Sequence, residues 1–291
     1  MFPNLIQAAI PFFVFFVLLE IVLNAWKRIS SYEAKDALSS ITMGLGNVGV
    51  GILSKGLIFG VYLFVYQFRF FEIGFIWWMW VLLFFADDLT YYWYHRSAHT
   101  IRYFWASHVV HHSSVNYNLA TALRQTWTGG ITGSFIFYLW LPLLGFHPLA
   151  LVFMHSISLL YQFWIHTELI NKLPAWFEFV FNTPSHHRVH HSSDVKYLDA
   201  NHAGVLIIWD RMFGSFIKEE EHPNYGLTEN IGTFNPLKIA SHEWIQIFVD
   251  IRKNPRYFWQ YLFGPPGWSH DGSRKTTAQL RAEKRKSLET L

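Results

Sequence analysis

The chain contains no cysteine. Disulfides, thiolate zinc sites, iron–sulfur clusters and cysteine nucleophiles are therefore excluded. Charge is also scarce. Asp, Glu, Lys and Arg make up 15% of the 291 residues, against roughly 25% in typical soluble domains. The formal net charge is only +3, which gives no nucleic-acid signal, and no nucleic-acid partner is expected. What is present is apolar: 52% hydrophobic and 19% aromatic residues. This balance points to an integral membrane protein. Long apolar runs that cross a bilayer must satisfy their own backbone, so the expected class is all-α.

The apolar runs set the expected topology. Leu5 to Trp26 is about the length a spanning helix needs, interrupted only by Glu20. It lacks a basic leading region and a small-residue cleavage site, so it is not read as a cleavable signal. Lys27, Arg28 and Lys35 follow and place that end in the cytoplasm. Asp36 to Gly51 is polar and small, with Gly44, Gly46, Gly49 and Gly51. It is either the start of a close-packed second helix to about Tyr66 or a flexible loop before a shorter one. Phe70 to Phe85 is a further apolar run, with Trp77, Trp78 and Trp80 as interfacial anchors. No proline or glycine breaks the following DLTYYWYHRSAH, so one long helix is expected to leave the bilayer there. Ile131 to Gly145 and Pro148 to Ile165 form a last apolar pair, read as a tight helical hairpin. The sum is a polytopic protein with about four to five transmembrane or re-entrant helices. A cytoplasmic histidine-rich helical cap is expected, in a bacterial inner membrane or the endoplasmic reticulum. The chain reads as a single domain over 1–291, with a core at about 40–216 and a solvated tail at about 264–291.

The chemistry lies in histidine spacing. HRSAHTIRYFWASHVVHH holds His95, His99, His108, His111 and His112. The first pair is spaced i, i+4 and the next three i, i+3, i+4, so each set shares one helix face. SHHRVHH adds His186, His187, His190 and His191, and His187, His190 and His191 repeat the HxxHH spacing. Imidazole is the usual nitrogen donor for iron, copper, zinc and nickel, and one face is what a metal needs. Asp87 lies eight residues before His95 and is a candidate acceptor for a ligand N–H; Asp88 reads as solvated. His147, His202, His222, His242 and His270 have no partner spacing and read as structural or exposed. Asn116, Asn118, Arg124 and Gln125, beside the second histidine set, are candidates for holding a head group, with loop solvation and capping as the alternative. Trp209 to Gly214 reads as a packed turn or capping element beneath the histidines.

HRSAH, HVVHH and HHRVHH together resemble the histidine signature of the membrane fatty acid hydroxylase / sterol desaturase superfamily. YNLATALRQT, YQFWIHTELI, NTPSHHRVHH and LIIWDRMFGSF are similar to its alkylglycerol monooxygenase branch. The resemblance covers about residues 85 to 216. It implies an oxidoreductase with two iron ions and dioxygen as co-substrate, hydroxylating a lipid C–H bond. The ligands it carries over are His95, His99, His108, His111, His112, His187, His190 and His191. It also calls for one or two further histidines from the hairpin region, where His155 and His166 are the candidates, His166 the better placed; His186 is read as supporting the ligands.

One position departs from the branch. Thr100 stands where an acid linked to pterin use is expected, so the resemblance does not carry tetrahydrobiopterin with it. No cytochrome, flavin or iron–sulfur motif is read in the chain, so a separate electron donor or small reductant is expected. Three readings stand: a di-iron hydroxylase or ether-lipid monooxygenase; a sterol-methyl oxidase or desaturase on the same scaffold; or a zinc-binding membrane transporter or structural protein.

Overall fold

Twenty-three residues, Leu5–Lys27, form α1 in the computed structural model, which describes residues 5–289. The ends of the expected domain, residues 1–4 and 290–291, lie outside the described residues. Apolar residues cover α1 on every side, and only Val17, Glu20 and Asn24 are buried. It is long and apolar enough to cross a membrane. Glu20 is its docking point: the carboxylate accepts from Tyr32 Oη at 2.5 Å, from the Leu119 amide at 2.7 Å and from the Thr167 hydroxyl.

The glycine-rich segment is helical. α2 spans Ala34–Tyr66, capped by Glu33, whose carboxylate accepts from the Lys35 and Asp36 amides. A side chain at Gly44 would press on the Leu123 carbonyl at 2.7 Å, and one at Gly46 would overlap the Trp127 indole at 2.3 Å. Those two glycines let the loop after the second histidine set lie directly on α2. Gly49 faces open space and Gly51 meets only Lys55, so they serve no such contact. The halves Ala34–Ile52 and Ser54–Tyr66 meet at 49°, and together they have the length and composition of one broken span.

α3, Trp77–Thr100, is the expected long helix and carries His95 and His99 in its last two turns. Ile101 is extended and turns the chain into α4, Arg102–His112. A short α5, Leu119–Ala122, follows, capped by Asn118.

The last apolar pair differs from the expected hairpin of two long helices. Its first limb is a 3₁₀ turn, Ser134–Tyr138, then α6, Trp140–Leu144; its second is α7, Pro148–Trp164. Pro142 and four nearby glycines interrupt the first limb. Both limbs are shorter than a full span. Gly145, at φ 122°, is required: a side chain there would strike the Phe71 carbonyl at 2.1 Å. Among the described residues, only α1 and the bent α2 pass for spans by length and composition; the count of four to five spanning or re-entrant helices is an expectation that rests on apolar runs alone.

After the pair come α8 (Ala175–Val180), α9 (Pro184–His190) and α10 (Ile208–Phe213). α11 (Pro236–Lys253) and α12 (Phe258–Phe263) follow. The tail ends in an exposed helix, α13, Thr277–Glu289. No strand occurs among the described residues beyond two isolated bridges, so the fold is all-helical. An apolar core of Tyr62, Met79, Leu83, Leu141, Leu151 and Met154 ties α2, α3, α6 and α7 together. On α4, the buried Arg102 guanidinium donates to Glu243 at 2.6 Å and Asp250 at 2.8 Å, which braces the helix against α11.

Candidate metal centre

Each HxxHH motif is split between two groups of imidazoles. His108 and His112 share one face of α4 at i, i+4, while His111 is offset around the helix. His187 and His191 likewise pair at i, i+4, and His190 points elsewhere. The result is two clusters, each with its ligand atoms within 4.8 Å of one another. The first is His95, His99, His108, His112 and His190; the second is His111, His166, His187 and His191. The clusters abut: the rings of His112 and His191, one from each, stack with centroids 4.4 Å apart.

The Nδ1 partners fix the tautomers. A carbonyl can only accept, so an Nδ1 bonded to one carries the proton and leaves Nε2 as a lone pair. His95 Nδ1 donates to the His202 carbonyl at 2.7 Å, and His190 Nδ1 to the Ala200 carbonyl at 2.9 Å. His166 Nδ1 donates to the Gln162 carbonyl at 2.7 Å, and His111 Nδ1 to the Arg124 carbonyl at 3.3 Å. His166 Nε2 and His111 Nε2 then face each other at 3.2 Å with no proton between them. Two buried lone pairs in that geometry repel unless a cation lies between them. In the first cluster, His108 Nε2 stands 2.8 Å from His95 Nε2 and 3.1 Å from His112 Nε2, and a single proton could serve only one of those contacts. His99 Nε2 and His190 Nε2 are buried without any partner.

These donors fit metal ions. Two nitrogens about 2.1 Å from one ion stand about 3.0 Å apart at right angles and about 3.4 Å apart at the tetrahedral angle. The first cluster's spacings of 2.8 and 3.1 Å lie nearer the right angle. Its five donors also exceed the four of a structural zinc site. Burial, helped by neighbouring imidazoles, holds His108, His112, His187, His190 and His191 well below the ordinary histidine pKa. His111 is pushed down by burial to about 4. Neutral imidazole is the form that binds metal.

The segment after α9 supplies two of the four supporting carbonyls, those of Ala200 and His202, and two buried acids hold it. Asp88 accepts from the Val205 and Leu206 amides at 2.8 and 2.9 Å and from Trp209 Nε1 at 2.9 Å. It is 1% exposed, not solvated as its place at an apolar boundary suggests. Asp210 accepts from the His202 and Ala203 amides, both at 2.8 Å. α10 is thus the capping element expected around Trp209. Asn201 sits in the left-handed region at φ 55°, where its side chain bonds the His186 and Ile217 carbonyls.

All eight histidines carried over by spacing and resemblance fall in the two clusters, and His166 joins them. His155 does not. It lies on α7 with Nδ1 3.6 Å from Asp87 Oδ1, so Asp87 faces His155 and no clustered histidine. His186 packs on Phe216 with Nδ1 3.3 Å from the Thr183 hydroxyl, outside both clusters. His202, read as structural or exposed, is buried beside His99, with ring centroids 5.1 Å apart. Its lone position carried no spacing signal.

The head-group candidates divide. Arg124 is 1% exposed and donates to Asp36 at 2.9 Å and to Ser39, Ser40 and Ser113. Asn118 is buried as the α5 cap, donating to the Ser31 carbonyl at 2.6 Å. Both are internal struts, because every bond of these side chains is made within the fold. Asn116 is half-buried and Gln125 exposed.

Residues 80–215, which hold both clusters, match the family model for fatty acid hydroxylase. That segment is similar to a fatty acid hydroxylase domain. Over 91% of its length the chain is 41% identical to human alkylglycerol monooxygenase, over 60% of that protein. The Xenopus tropicalis protein of the same name is 38% identical over 91% of the chain and 60% of its own length. The Danio rerio protein is 43% identical over 80% of the chain and 52% of its own length. The chain thus spans about 60% of the curated relatives it matches, or less. No solved structure matches it. The matched segment coincides with α3 through α10, the elements that carry the imidazoles and the acids behind them.

Proposed function

We propose that the hydroxylase domain holds two iron ions and hydroxylates a lipid C–H bond with dioxygen, acting on an ether lipid as its relatives' names indicate. The observation that carries this reading is the pair of lone pairs at His111 Nε2 and His166 Nε2, each fixed by a carbonyl behind it, within a nine-histidine double cluster. His95, His99, His108, His112 and His190 would hold one ion; His111, His166, His187 and His191 the other. Bound iron supplies redox chemistry able to insert one oxygen atom of dioxygen into an unactivated C–H bond.

The chain's own residues supply geometry. Carbonyls of Ala200, His202, Gln162 and Arg124 hold the imidazoles in one tautomer and orientation. Burial keeps them neutral and excludes water. α1 and the bent α2 anchor the domain in a bilayer, and the basic Lys27, Arg28 and Lys35 set the histidine side as cytoplasmic. A lipid would enter from the bilayer, with Asn116 and Gln125 left as head-group partners. The electron donor is a separate protein or small reductant.

If the substrate is an ether, a hydroxyl placed on the carbon beside the ether oxygen gives a hemiacetal. That species collapses to a fatty aldehyde and a glycerol product. Membranes holding the protein are supplied with iron, a reductant, ¹⁸O-labelled dioxygen and an alkylglycerol, and the aldehyde is trapped by reduction to the alcohol. One ¹⁸O atom in the trapped alcohol supports the reading. A hydroxylated lipid with its linkage intact keeps the oxygenase and removes the ether. A new double bond without label moves the assignment to a desaturase.

A further inference from the structure

Two tyrosines link the second cluster to the surface. The Tyr117 ring lies 5.3 Å from His191 and 5.7 Å from His166, nearly parallel to the latter at 28°. Tyr225 stacks on the outer face of Tyr117, with centroids 4.9 Å apart and planes at 17°. His222 meets Tyr225 edge-on at 5.9 Å, and its side chain is 68% exposed. The ring path from ligand to solvent therefore has no gap longer than 6 Å. The two hydroxyls differ in kind. Tyr117 Oη donates to the Ile165 carbonyl at 2.8 Å, which cannot keep a proton. Tyr225 Oη donates to the Glu168 carboxylate, which can. Glu168 in turn contacts His222 Nε2 at 3.2 Å and borders a polar cavity of about 300 Å³ that Lys172, Arg188, Glu219 and His222 also line.

We propose that Tyr117 and Tyr225 carry single electrons from the surface to the metal held by the second cluster, draining an over-oxidised centre when no lipid is present. The inference rests on the redox-metal reading above. With a redox metal bound and oxidised, Tyr117 would give up one electron toward it and take one from Tyr225. Tyr225 gives its phenolic proton to Glu168 and becomes a neutral radical. A small one-electron reductant in the Glu168 cavity returns the electron, and Glu168 returns the proton. The net change is one electron from that reductant to the metal. Tyr117 has no proton acceptor, so the oxidation does not rest there; Tyr225 is where it stops.

The test uses the full chain loaded with iron, with metal content measured first. Ferrous protein is mixed with oxygen in the absence of lipid and frozen for electron paramagnetic resonance. A neutral tyrosyl signal that narrows with ring-deuterated tyrosine is expected. Tyr225→Phe keeps the stack but should abolish that signal and raise oxidation of His166 and His191 several-fold, read by peptide mass spectrometry. Glu168→Gln should slow its appearance at unchanged iron content. Iron bound, lipid turned over and no tyrosyl signal would overturn the relay alone. An unchanged signal in Tyr225→Phe at full iron content would also overturn it. A protein that binds no redox metal would overturn the relay together with the reading beneath it.

Discussion

His111 and His112 are neighbours in the chain and belong to different nitrogen clusters. His111 Nε2 faces His166 at 3.2 Å, while His112 Nε2 faces His108 at 3.1 Å. The mirror arrangement occurs at α9, where His190 leaves its neighbours His187 and His191 to join His95. Each HxxHH motif therefore gives an i, i+4 pair to one centre and its middle histidine to the other. Two centres built in this way share their helices and cannot be moved apart.

Acid should destabilise the metal-free protein. A histidine held below its usual pKa binds fewer protons folded than unfolded, so its contribution is complete above about 6.5 and falls as pH drops through the folded value. For His111 that window runs from about 6.5 to about 4. His108, His112, His187, His190 and His191 are shifted in the same direction and add to the slope. Thermal melts of metal-free protein in detergent should therefore fall between pH 7 and 5, and a flat profile would mean the imidazoles are not buried as neutral groups.

Asp88→Asn should loosen the metal site without touching a ligand. The change presents an amide to three donors that now share a carboxylate, Val205 N, Leu206 N and Trp209 Nε1. Orphaning one or two buried donors costs about 2–4 kcal/mol. The loop bearing the His202 and Ala200 carbonyls would shift, and loss of such supports lowers metal affinity by about 10–100-fold. Iron retention after gel filtration reads the effect; full retention at unchanged stability would remove Asp88 from the account.

Arg124→Met separates a strut from a head-group site. If Arg124 braces α2, removing one partner of its buried pair with Asp36 costs about 3–5 kcal/mol. The Michaelis constant for lipid should hold while the melting temperature drops. A stable variant with a raised Michaelis constant would restore the head-group role. Gln125→Ala should show the reverse pattern.

Topology can be read with single cysteines, since the chain has none of its own. Glu220 is exposed on the histidine side and Glu72 between α2 and α3. Glu220→Cys should react with an impermeant reagent only from the cytoplasmic side, and Glu72→Cys only from the opposite side. Labelling of both from one side would mean that the histidine side and the turn after α2 do not lie on opposite faces of the bilayer.

Sequence spacing was informative wherever the chemistry is local. The i, i+4 pairs and the unbroken α3 follow from helix periodicity, whereas His166 joins the cluster from the turn just past the end of α7. Distance along the helix decided the rest. His155 and His166 are expected on one helix face, but α7 ends at Trp164, leaving His155 about 14 Å of helix short of that end. Asp87 lies similarly deep, about 12 Å below His95 along α3. The two groups expected at the metal meet each other at 3.6 Å. Asp88 reads as solvated, and Arg124 as a head-group or loop residue, because their partners, beyond α9 and on α2, are remote in sequence. The carbonyls that set the tautomers come from main chain, which leaves no residue signature at all.

Metal stoichiometry tests the central claim most directly. Protein expressed with iron and purified without oxygen is weighed by native mass spectrometry, with iron and zinc counted in parallel. Two irons per chain are expected. His190→Ala, from the first cluster, and His187→Ala, from the second, should each lose one ion while the protein still inserts into membranes. A single ion lost by both variants together would contradict the two-centre account, as would full iron in either variant, or zinc in the wild type with no oxygen-dependent product.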